Sequence, residues 1–177
     1  MTTIVIDVGC ATHGGDESIN YLIEQFSPAN LFGFDPATRC SLEKRDNTVV
    51  ALLPWAAWTF DGELPFAVDG LRGRQDPDGT PVRCFDLADF VRAMMGSRDD
   101  LVLKLDAEGA EYVLLNHLID RGVDTLLKLA WVEWHCPQCG TGGFTAADHC
   151  DRCGLTEPGL RTELEARMAC DMHQWNR

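Results

Sequence analysis

Four of the eight cysteines form one regular pattern near the end of the chain. Cys136-x2-Cys139 and Cys150-x2-Cys153 are separated by ten residues, and a glycine follows each pair. Thiolates at this spacing are typical of a tetrahedral Zn²⁺ site in which all four ligands come from the protein. Rubredoxin-like iron binding and a redox dithiol are the alternatives. A closed zinc site has no open position for water, so we expect it to stabilise the chain rather than to catalyse.

Acidic residues follow four predicted strands. The first ends at Asp7, the second at Asp35, a later one at Asp106, and the last of the four at Glu133 and His135. The carboxyl ends of parallel strands meet at one edge of a sheet, and open α/β sheets bind their ligands there. We therefore expect several carboxylates to surround a single crevice.

The elements that position these acids alternate between strands and helices. A helix with apolar residues at helical spacing, capped by Asp16, follows the first strand, and another helix precedes Gly122. The predicted strands are residues 3–8, 31–34, 48–53, 101–106 and 129–135. This alternation predicts an α/β fold with an open, doubly wound, mostly parallel sheet.

The middle and the end of the chain depart from this alternation. Residues 56–68 predict two short strands joined by a turn at Asp61-Gly62, and residues 69–81 predict a loop. Asp86 is expected to cap a helix, and a last helix and an edge strand are expected after the cysteines. We expect one domain over residues 1–177, with the zinc-binding insert at residues 136–154.

The charge balance narrows the classes of partner. With 28 acidic residues against 15 Lys and Arg, the net charge is −13, which repels nucleic-acid phosphates, so we expect no nucleic-acid partner. The longest apolar run has ten residues, whereas a membrane span needs roughly 20, so no membrane partner is expected. The first residues do not have the pattern of a signal peptide. One cysteine quartet with the other cysteines scattered is typical of a reduced, cytoplasmic protein.

One block of the sequence is more specific than the rest. The block is residues 103–115, LKLDAEGAEYVLL, and four further segments belong with it: IDVGCATHGGDES, FGFDP, AAWTFDGELPF and LAWVEWH. These five segments resemble the FkbM family of S-adenosylmethionine-dependent methyltransferases. A strand ending in a Lys-x-Asp-x-Glu-Gly-Ala-Glu pattern is the hallmark of that family, and residues 104–111 match it. The resemblance implies a Rossmann-like class I fold, S-adenosylmethionine as cofactor, and O-methylation of a hydroxyl on a sugar or another small molecule.

The resemblance also implies roles for individual residues. Asp7 and Gly9 would border the methionine part of the cofactor, Asp35 would hold the ribose, and two alanines would line the adenine slot. Asp106 would lie below the sulfonium, where a carboxylate suits a cationic ligand. The expected cofactor-binding residues are Asp7, Gly9, Cys10, Asp35, Pro36, Ala56, Ala57 and Asp106. In the alternative, structural interpretation, Gly9 is only a turn residue and Asp35 only a cap.

Methyl transfer requires the acceptor to be aligned and its proton to be removed. Alternation along a strand would place Glu133 and His135 on one face. His135, with a pKa near neutrality, is the candidate base, and Asp106 or Glu108 would orient the acceptor. Two alternatives remain open. His135 would serve a structural role beside the cysteines, or Asp106, Glu108 and His135 would bind Mg²⁺ and so acidify the hydroxyl.

Two other functions are compatible with the sequence. The cysteine insert is not expected in the family. The short tail after the last predicted helix and the absence of an added substrate lid favour a non-catalytic zinc-ribbon adaptor that binds a protein partner on a degenerate methyltransferase fold. A nicotinamide-dependent dehydrogenase is the other. The chain has no G-x-G-x-x-G motif, which argues against a dinucleotide cofactor.

Overall fold

The computed structural model describes residues 2–10, 17–69, 72–95, 100–140 and 148–175. A short 3₁₀ helix lies at Asp124–Leu126. In chain order the strands and α-helices of the described residues are β1 (Thr3–Val8), α1 (Glu17–Phe26), β2 (Asn30–Phe34), β3 (Ser41–Arg45), β4 (Thr48–Leu53), β5 (Ala56–Trp58), β6 (Gly62–Asp69), β7 (Arg72–Gln75), β8 (Thr80–Asp86), α2 (Leu87–Met94), β9 (Asp100–Leu105), α3 (Glu111–Asp120), β10 (Leu127–Val132), α4 (Leu160–Arg167) and β11 (Asp171–Gln174).

Seven strands form the larger sheet, in the order β11-β10-β9-β1-β2-β4-β3. Each neighbouring pair is parallel except β3 and β4, which are antiparallel. The central strands β1 and β9 are apolar over almost their whole length, because both faces of a parallel sheet are buried. The predicted α/β fold with a mostly parallel sheet is confirmed.

Helices cover both faces of this sheet. Val5 of β1 packs in one apolar cluster with residues of α1, whereas its neighbour Ile6 packs in another with residues of α2, α3 and α4. Successive residues of a strand point to opposite faces, so the two clusters lie on opposite sides of the sheet. The predicted N-cap of α2 is confirmed, since Asp86 accepts hydrogen bonds from the backbone N–H groups of Ala88 and Asp89.

A smaller sheet has the order β5-β8-β6-β7, which corrects two predictions. Two strands do flank the turn at Asp61-Gly62, but they do not pair with each other, because β8 lies between them. The Asp61 carboxylate accepts a hydrogen bond from the backbone N–H of Asp86 at 3.0 Å, which joins the turn to β8. The predicted loop at residues 69–81 contains strand β7, which pairs with β6.

The C-terminal elements agree with the sequence except in one boundary. The last helix and the edge strand are present as α4 and β11. Strand β10, however, spans Leu127–Val132, so the predicted strand bounds of residues 129–135 are wrong, although the side chains of Glu133 and His135 still lie near each other. Asp16, the predicted cap of α1, lies outside the described residues. In the described part of the chain no helix has the length and apolar character needed to cross a membrane.

Asp86 does more than cap α2, because its two carboxylate oxygens also contact α3 and the residue after it. Oδ1 lies 2.9 Å from His117 Nε2, and Oδ2 accepts a hydrogen bond from Arg121 Nη1 at 3.1 Å. Burial raises the pKa of Asp86, but the hydrogen bonds and charge of His117 and the backbone N–H donors outweigh that effect and hold the pKa below its ordinary value.

We expect Asp86→Ala to lower the free energy of unfolding by about 1–2 kcal/mol at pH 7, and Asp86→Asn, which keeps a capping oxygen, to lower it less. Because the folded pKa is depressed, this stabilisation is present above the unfolded pKa of about 3.9 and is lost as the pH falls through the folded value. Urea unfolding should therefore show the difference between wild type and Asp86→Ala at pH 7 and a smaller difference below about pH 3. An equal difference at both pH values would contradict the assignment.

Candidate functional site

The carboxyl ends of β1, β2 and β9 open onto one cavity of about 90 Å³, here called the narrow cavity. Gly9, Asp35 and Asp106, which lie just beyond these three strands, all line it. Backbone hydrogen bonds hold the three ends together: Gly9 N–H donates to Phe34 O at 2.8 Å, and Asp106 N–H donates to Val8 O at 3.0 Å. Other residues predicted for the site also line it, namely Pro36, Ala56, Ala57 and Glu108.

A second cavity of about 450 Å³, here called the wide cavity, adjoins the narrow one. Ala107, Glu108 and Ala110, in the turn between β9 and α3, line both cavities. The wide cavity is also bordered by Cys139 and Cys153, one residue from each cysteine pair, and by Arg74. A ligand in the narrow cavity would therefore have space beside it, between the β9–α3 turn and the cysteines.

Asp7 lies beneath the narrow cavity, bound to a buried lysine. The Lys104 side chain is 1% exposed, and its Nζ lies 3.1 Å from Asp7 Oδ1, 3.0 Å from Asp106 Oδ2 and 2.9 Å from Gly9 O. Burial lowers the pKa of Lys104, but the charges of the two carboxylates outweigh that effect and hold the pKa above its ordinary value. Lys104 thus joins the end of β1 to the end of β9.

Two of the predicted cofactor-binding residues are not among the described residues that line the narrow cavity. Asp7 is fully buried on Lys104 and also accepts a hydrogen bond from Ser18 Oγ at 3.0 Å. Cys10 is buried against β2, where a Cβ atom at Gly33 would lie 2.9 Å from its Sγ. Burial raises the pKa of the Cys10 thiol, and the charge of Asp7 raises it further. Both residues support the wall of the site rather than its surface.

Asp35 has a structural role as well as a place in the cavity. Its Oδ1 accepts a hydrogen bond from the backbone N–H of Ala37 at 2.7 Å, which closes a turn after β2. The side chain also lines the narrow cavity beside Pro36. The cap and the ligand-binding interpretations of Asp35 are therefore compatible with each other.

His135 lies behind the cavity-lining carboxylates, with its side chain 4% exposed. Its Nδ1 is 2.9 Å from Glu111 Oε1. Burial lowers the pKa of His135, but the hydrogen bond and charge of Glu111 and the charges of Asp106 and Glu108 outweigh that effect and raise the pKa to about 9. This value lies above the near-neutral pKa expected of a base, because the surrounding carboxylates favour the protonated ring.

Glu111 and Lys104 are the two residues whose importance the sequence did not reveal. Glu111 is fully buried at the start of α3, and its carboxylate accepts hydrogen bonds from the backbone N–H groups of Ala107 at 2.7 Å and Gly109 at 3.0 Å. Both residues belong to the KLDAEGAE block, and this block was the sequence feature that could have indicated their importance. In the sequence alone, a glutamate in the first turn of a helix is more often solvated.

The four cysteines, here called the cysteine site, converge as their spacing predicted. Their Sγ atoms all lie within 4.8 Å of one another, with Cys136 to Cys153 at 3.6 Å and Cys139 to Cys150 at 3.5 Å. Four thiolates bound to zinc at about 2.3 Å would be about 3.8 Å apart in a tetrahedron. The cluster is therefore positioned to hold a metal ion such as zinc.

Each cysteine pair closes with the same turn. Gly140 N–H donates to Cys136 O, and Gly154 N–H donates to Cys150 O, both at 2.8 Å. Both glycines have positive φ, +62° and +76°, which a side chain would disfavour. The first turn packs on the β9–α3 turn so closely that a Cβ atom at Gly140 would lie 2.6 Å from Glu108 O.

Comparisons of the chain with protein-family models, with curated proteins and with solved structures find no match.

We expect Lys104→Met to lower the free energy of unfolding by about 3–5 kcal/mol, because it leaves the buried Asp7 carboxylate without its partner. Adding Asp7→Asn should recover part of that loss, since it removes the unpaired charge. The exposed Lys44→Met is the matched control and should change stability by less than about 0.5 kcal/mol. Urea unfolding of the four proteins measures these differences. If the double variant were less stable than Lys104→Met, the pairing would be contradicted.

Elemental analysis of the purified protein should detect one zinc ion per chain. Cys139→Ser should lose that ion and lower the free energy of unfolding by more than about 2 kcal/mol, because metal affinity contributes to folding. Cys40→Ser, at an exposed cysteine outside the cluster, is the matched control and should keep both the ion and the stability. A stable protein without metal would contradict the assignment.

Proposed function

We propose that this protein is an S-adenosylmethionine-dependent methyltransferase that transfers a methyl group to a hydroxyl of a sugar or another small molecule. The observation that carries the proposal is the narrow cavity, where Gly9, Asp35 and Asp106 meet beyond the ends of three adjacent strands. These are three of the residues for which the resemblance of the sequence to the FkbM family implies contact with the cofactor.

The order of the parallel strands supports a Rossmann-like class I fold. Read across the larger sheet, β4-β2-β1-β9-β10-β11 are the third, second, first, fourth, fifth and sixth parallel strands of the chain. This is the order of a doubly wound nucleotide-binding sheet, whose ligand lies where the order reverses. The reversal falls between β1 and β9, and the residues after these two strands line the narrow cavity.

The chemistry of the cavity fits the cofactor. A carboxylate such as Asp35 can accept hydrogen bonds from ribose hydroxyls, and the apolar walls formed by Phe34, Ala56 and Ala57 suit a planar base. Asp106 adds negative charge suited to a sulfonium. Ligand pockets usually measure about 300–1,000 Å³, so the cofactor and the acceptor together must extend past Glu108 into the wide cavity. When bound, the cofactor supplies a methyl group already activated for displacement.

Glu108 is the carboxylate that we assign to the acceptor. It lines both cavities, so it lies where an acceptor in the wide cavity would approach the narrow one. Its carboxylate can accept a hydrogen bond from the acceptor hydroxyl and so orient it. His135 is a positioning residue in this proposal, because it lies behind Asp106 and Glu108 and is held by Glu111.

The cysteine site, with zinc as its metal, has a mechanical role in this proposal. The chain leaves β10 at Val132 and reaches Cys136 four residues later, directly after His135. A Cβ atom at Gly109 would lie 2.8 Å from Cys136 O, so the β9–α3 turn and the first cysteine turn are in direct contact. Zinc binding would therefore hold the segment that carries Glu108 in place.

Titration calorimetry with S-adenosylhomocysteine tests the proposal. The wild type should bind, and Asp35→Ala should weaken binding by about tenfold to a hundredfold, since a hydrogen bond to a charged group contributes about 1.5–3 kcal/mol. Asp120→Ala is the matched control, because it removes the same charge from an exposed position on α3 and should leave binding unchanged.

Three outcomes would contradict the proposal. Absence of binding by a folded, metal-loaded wild type would favour the non-catalytic adaptor. Unchanged binding in Asp35→Ala would show that the narrow cavity is not the cofactor site. A rise in melting temperature with NAD and not with S-adenosylmethionine would favour a dehydrogenase. Turnover of S-adenosylmethionine with any hydroxyl acceptor would instead exclude the adaptor.

A further inference from the structure

A histidine nitrogen and three carboxylates converge behind the narrow cavity, in a group that includes none of the cysteine thiolates. His135 Nε2 lies 3.7 Å from Asp106 Oδ1, 3.8 Å from Glu108 Oε2 and 3.7 Å from Glu133 Oε1. These separations exceed the 2.7–3.2 Å of a hydrogen bond. The four groups, here called the carboxylate–histidine cluster, therefore surround a common point instead of closing on one another.

The orientation of His135 is set by its other nitrogen. Nδ1 is 2.9 Å from Glu111 Oε1, and the Glu111 carboxylate is itself held by two backbone N–H groups of the β9–α3 turn. Histidine ligands of metal ions usually have this arrangement, in which a carboxylate binds one ring nitrogen and directs the other at the metal. Here the directed atom is Nε2, and it faces the three carboxylates.

We propose that the carboxylate–histidine cluster binds one divalent cation of the first transition series, with Asp106, Glu108 and His135 as ligands and Glu133 beside them. One ligand atom from each of the three lies within 4.8 Å of the others. A nitrogen ligand favours Mn²⁺, Fe²⁺ or Co²⁺ over Mg²⁺ and Ca²⁺, which prefer oxygen alone. The mixed nitrogen and oxygen set also differs from the four thiolates of the cysteine site.

The charge of the cluster is suited to such a cation. Three carboxylates surround His135, and Lys104 offsets only part of their charge through its contact with Asp106 Oδ2. That contact leaves Asp106 Oδ1 directed at His135. A divalent cation held by Asp106, Glu108 and His135 would neutralise part of the remaining negative charge.

The position of the cation gives it a role in the proposed reaction. Asp106 and Glu108 line the narrow cavity, so a cation on them would lie at its wall. A hydroxyl bound to a divalent cation loses its proton more easily than a free one. This role rests on the proposed methyltransferase function, whereas the binding of the cation does not.

Binding of Mn²⁺ to the zinc-loaded protein tests the inference. Mn²⁺ prefers oxygen ligands and competes poorly for thiolates already bound to zinc, so it reports the cluster alone. Loss of the electron paramagnetic resonance signal of free Mn²⁺ should show one Mn²⁺ bound per chain. Glu108→Gln and His135→Gln should each weaken binding at least about tenfold. Asp151→Asn, an exposed acid between Cys150 and Cys153, is the matched control and should change binding by less than about twofold.

Electron spin echo modulation of the bound Mn²⁺ adds a direct readout, because a coordinated imidazole nitrogen gives a characteristic coupling. We expect that coupling in the wild type and its absence in His135→Gln. If His135→Gln loses zinc or unfolds, Glu108→Gln and Glu133→Gln decide the question, since neither residue is next to a cysteine ligand in the sequence. Circular dichroism and zinc content identify such a variant.

The inference is overturned if the zinc-loaded wild type binds no Mn²⁺, if both glutamate variants bind it like the wild type, or if the bound ion shows no nitrogen coupling. These results are independent of the cofactor experiment. S-adenosylhomocysteine binding is measured without Mn²⁺, and Mn²⁺ binding is measured without the cofactor, so either proposal can fail alone.

Discussion

The arrangement of the site depends on the ion pairs that the buried Lys104 ammonium forms with Asp7 and Asp106. The ammonium contacts Asp7 at the end of β1, the backbone carbonyl of Gly9, and Asp106 beyond β9. A buried cation between two carboxylates is stable only while all partners stay in place, because removing one leaves an uncompensated charge. The ends of the two central strands are therefore held at a defined separation, and a Cβ atom at Gly9 would lie only 1.8 Å from Asp106 O. The narrow cavity is the space left between these fixed ends and β5.

A second constraint extends from this point to the cysteine site. Glu111 binds the backbone of the β9–α3 turn and the ring of His135, and the next residue, Cys136, belongs to the first cysteine turn. The two turns are in contact at Gly109 and Gly140. The carboxylate–histidine cluster thus contacts the buried lysine through Asp106 and the first cysteine turn through Glu108.

Much of the fold could be predicted because its signals are local. Apolar runs marked the parallel strands, and the spacing of the cysteines marked their cluster. Strands β3, β7 and β8 were missed. Strand β3 is polar and exposed, β7 lies in a segment rich in Gly, Pro and Asp, and β8 contains a proline and little alternation. The pairing of β5 and β6 was wrong because a turn signal does not reveal that a later segment inserts between its two arms. Asp35, Asp106 and Glu108 were correctly expected at one crevice, whereas Asp7 and Cys10 were placed on its surface and lie beneath it.

The sequence by itself determined which strands are buried, where acidic side chains leave the sheet, and which four thiolates meet, because each of these follows from residue type and spacing along the chain. Only the tertiary structure decided the electrostatics. Whether a carboxylate binds Lys104, holds His135 or faces a cavity depends on groups from β1, β9, α3 and the segment after β10 that meet in space. The raised pKa of His135 follows from these contacts, since burial and four nearby carboxylates act on the ring together. Three of the four carboxylates belong to a segment more than twenty residues away in the chain.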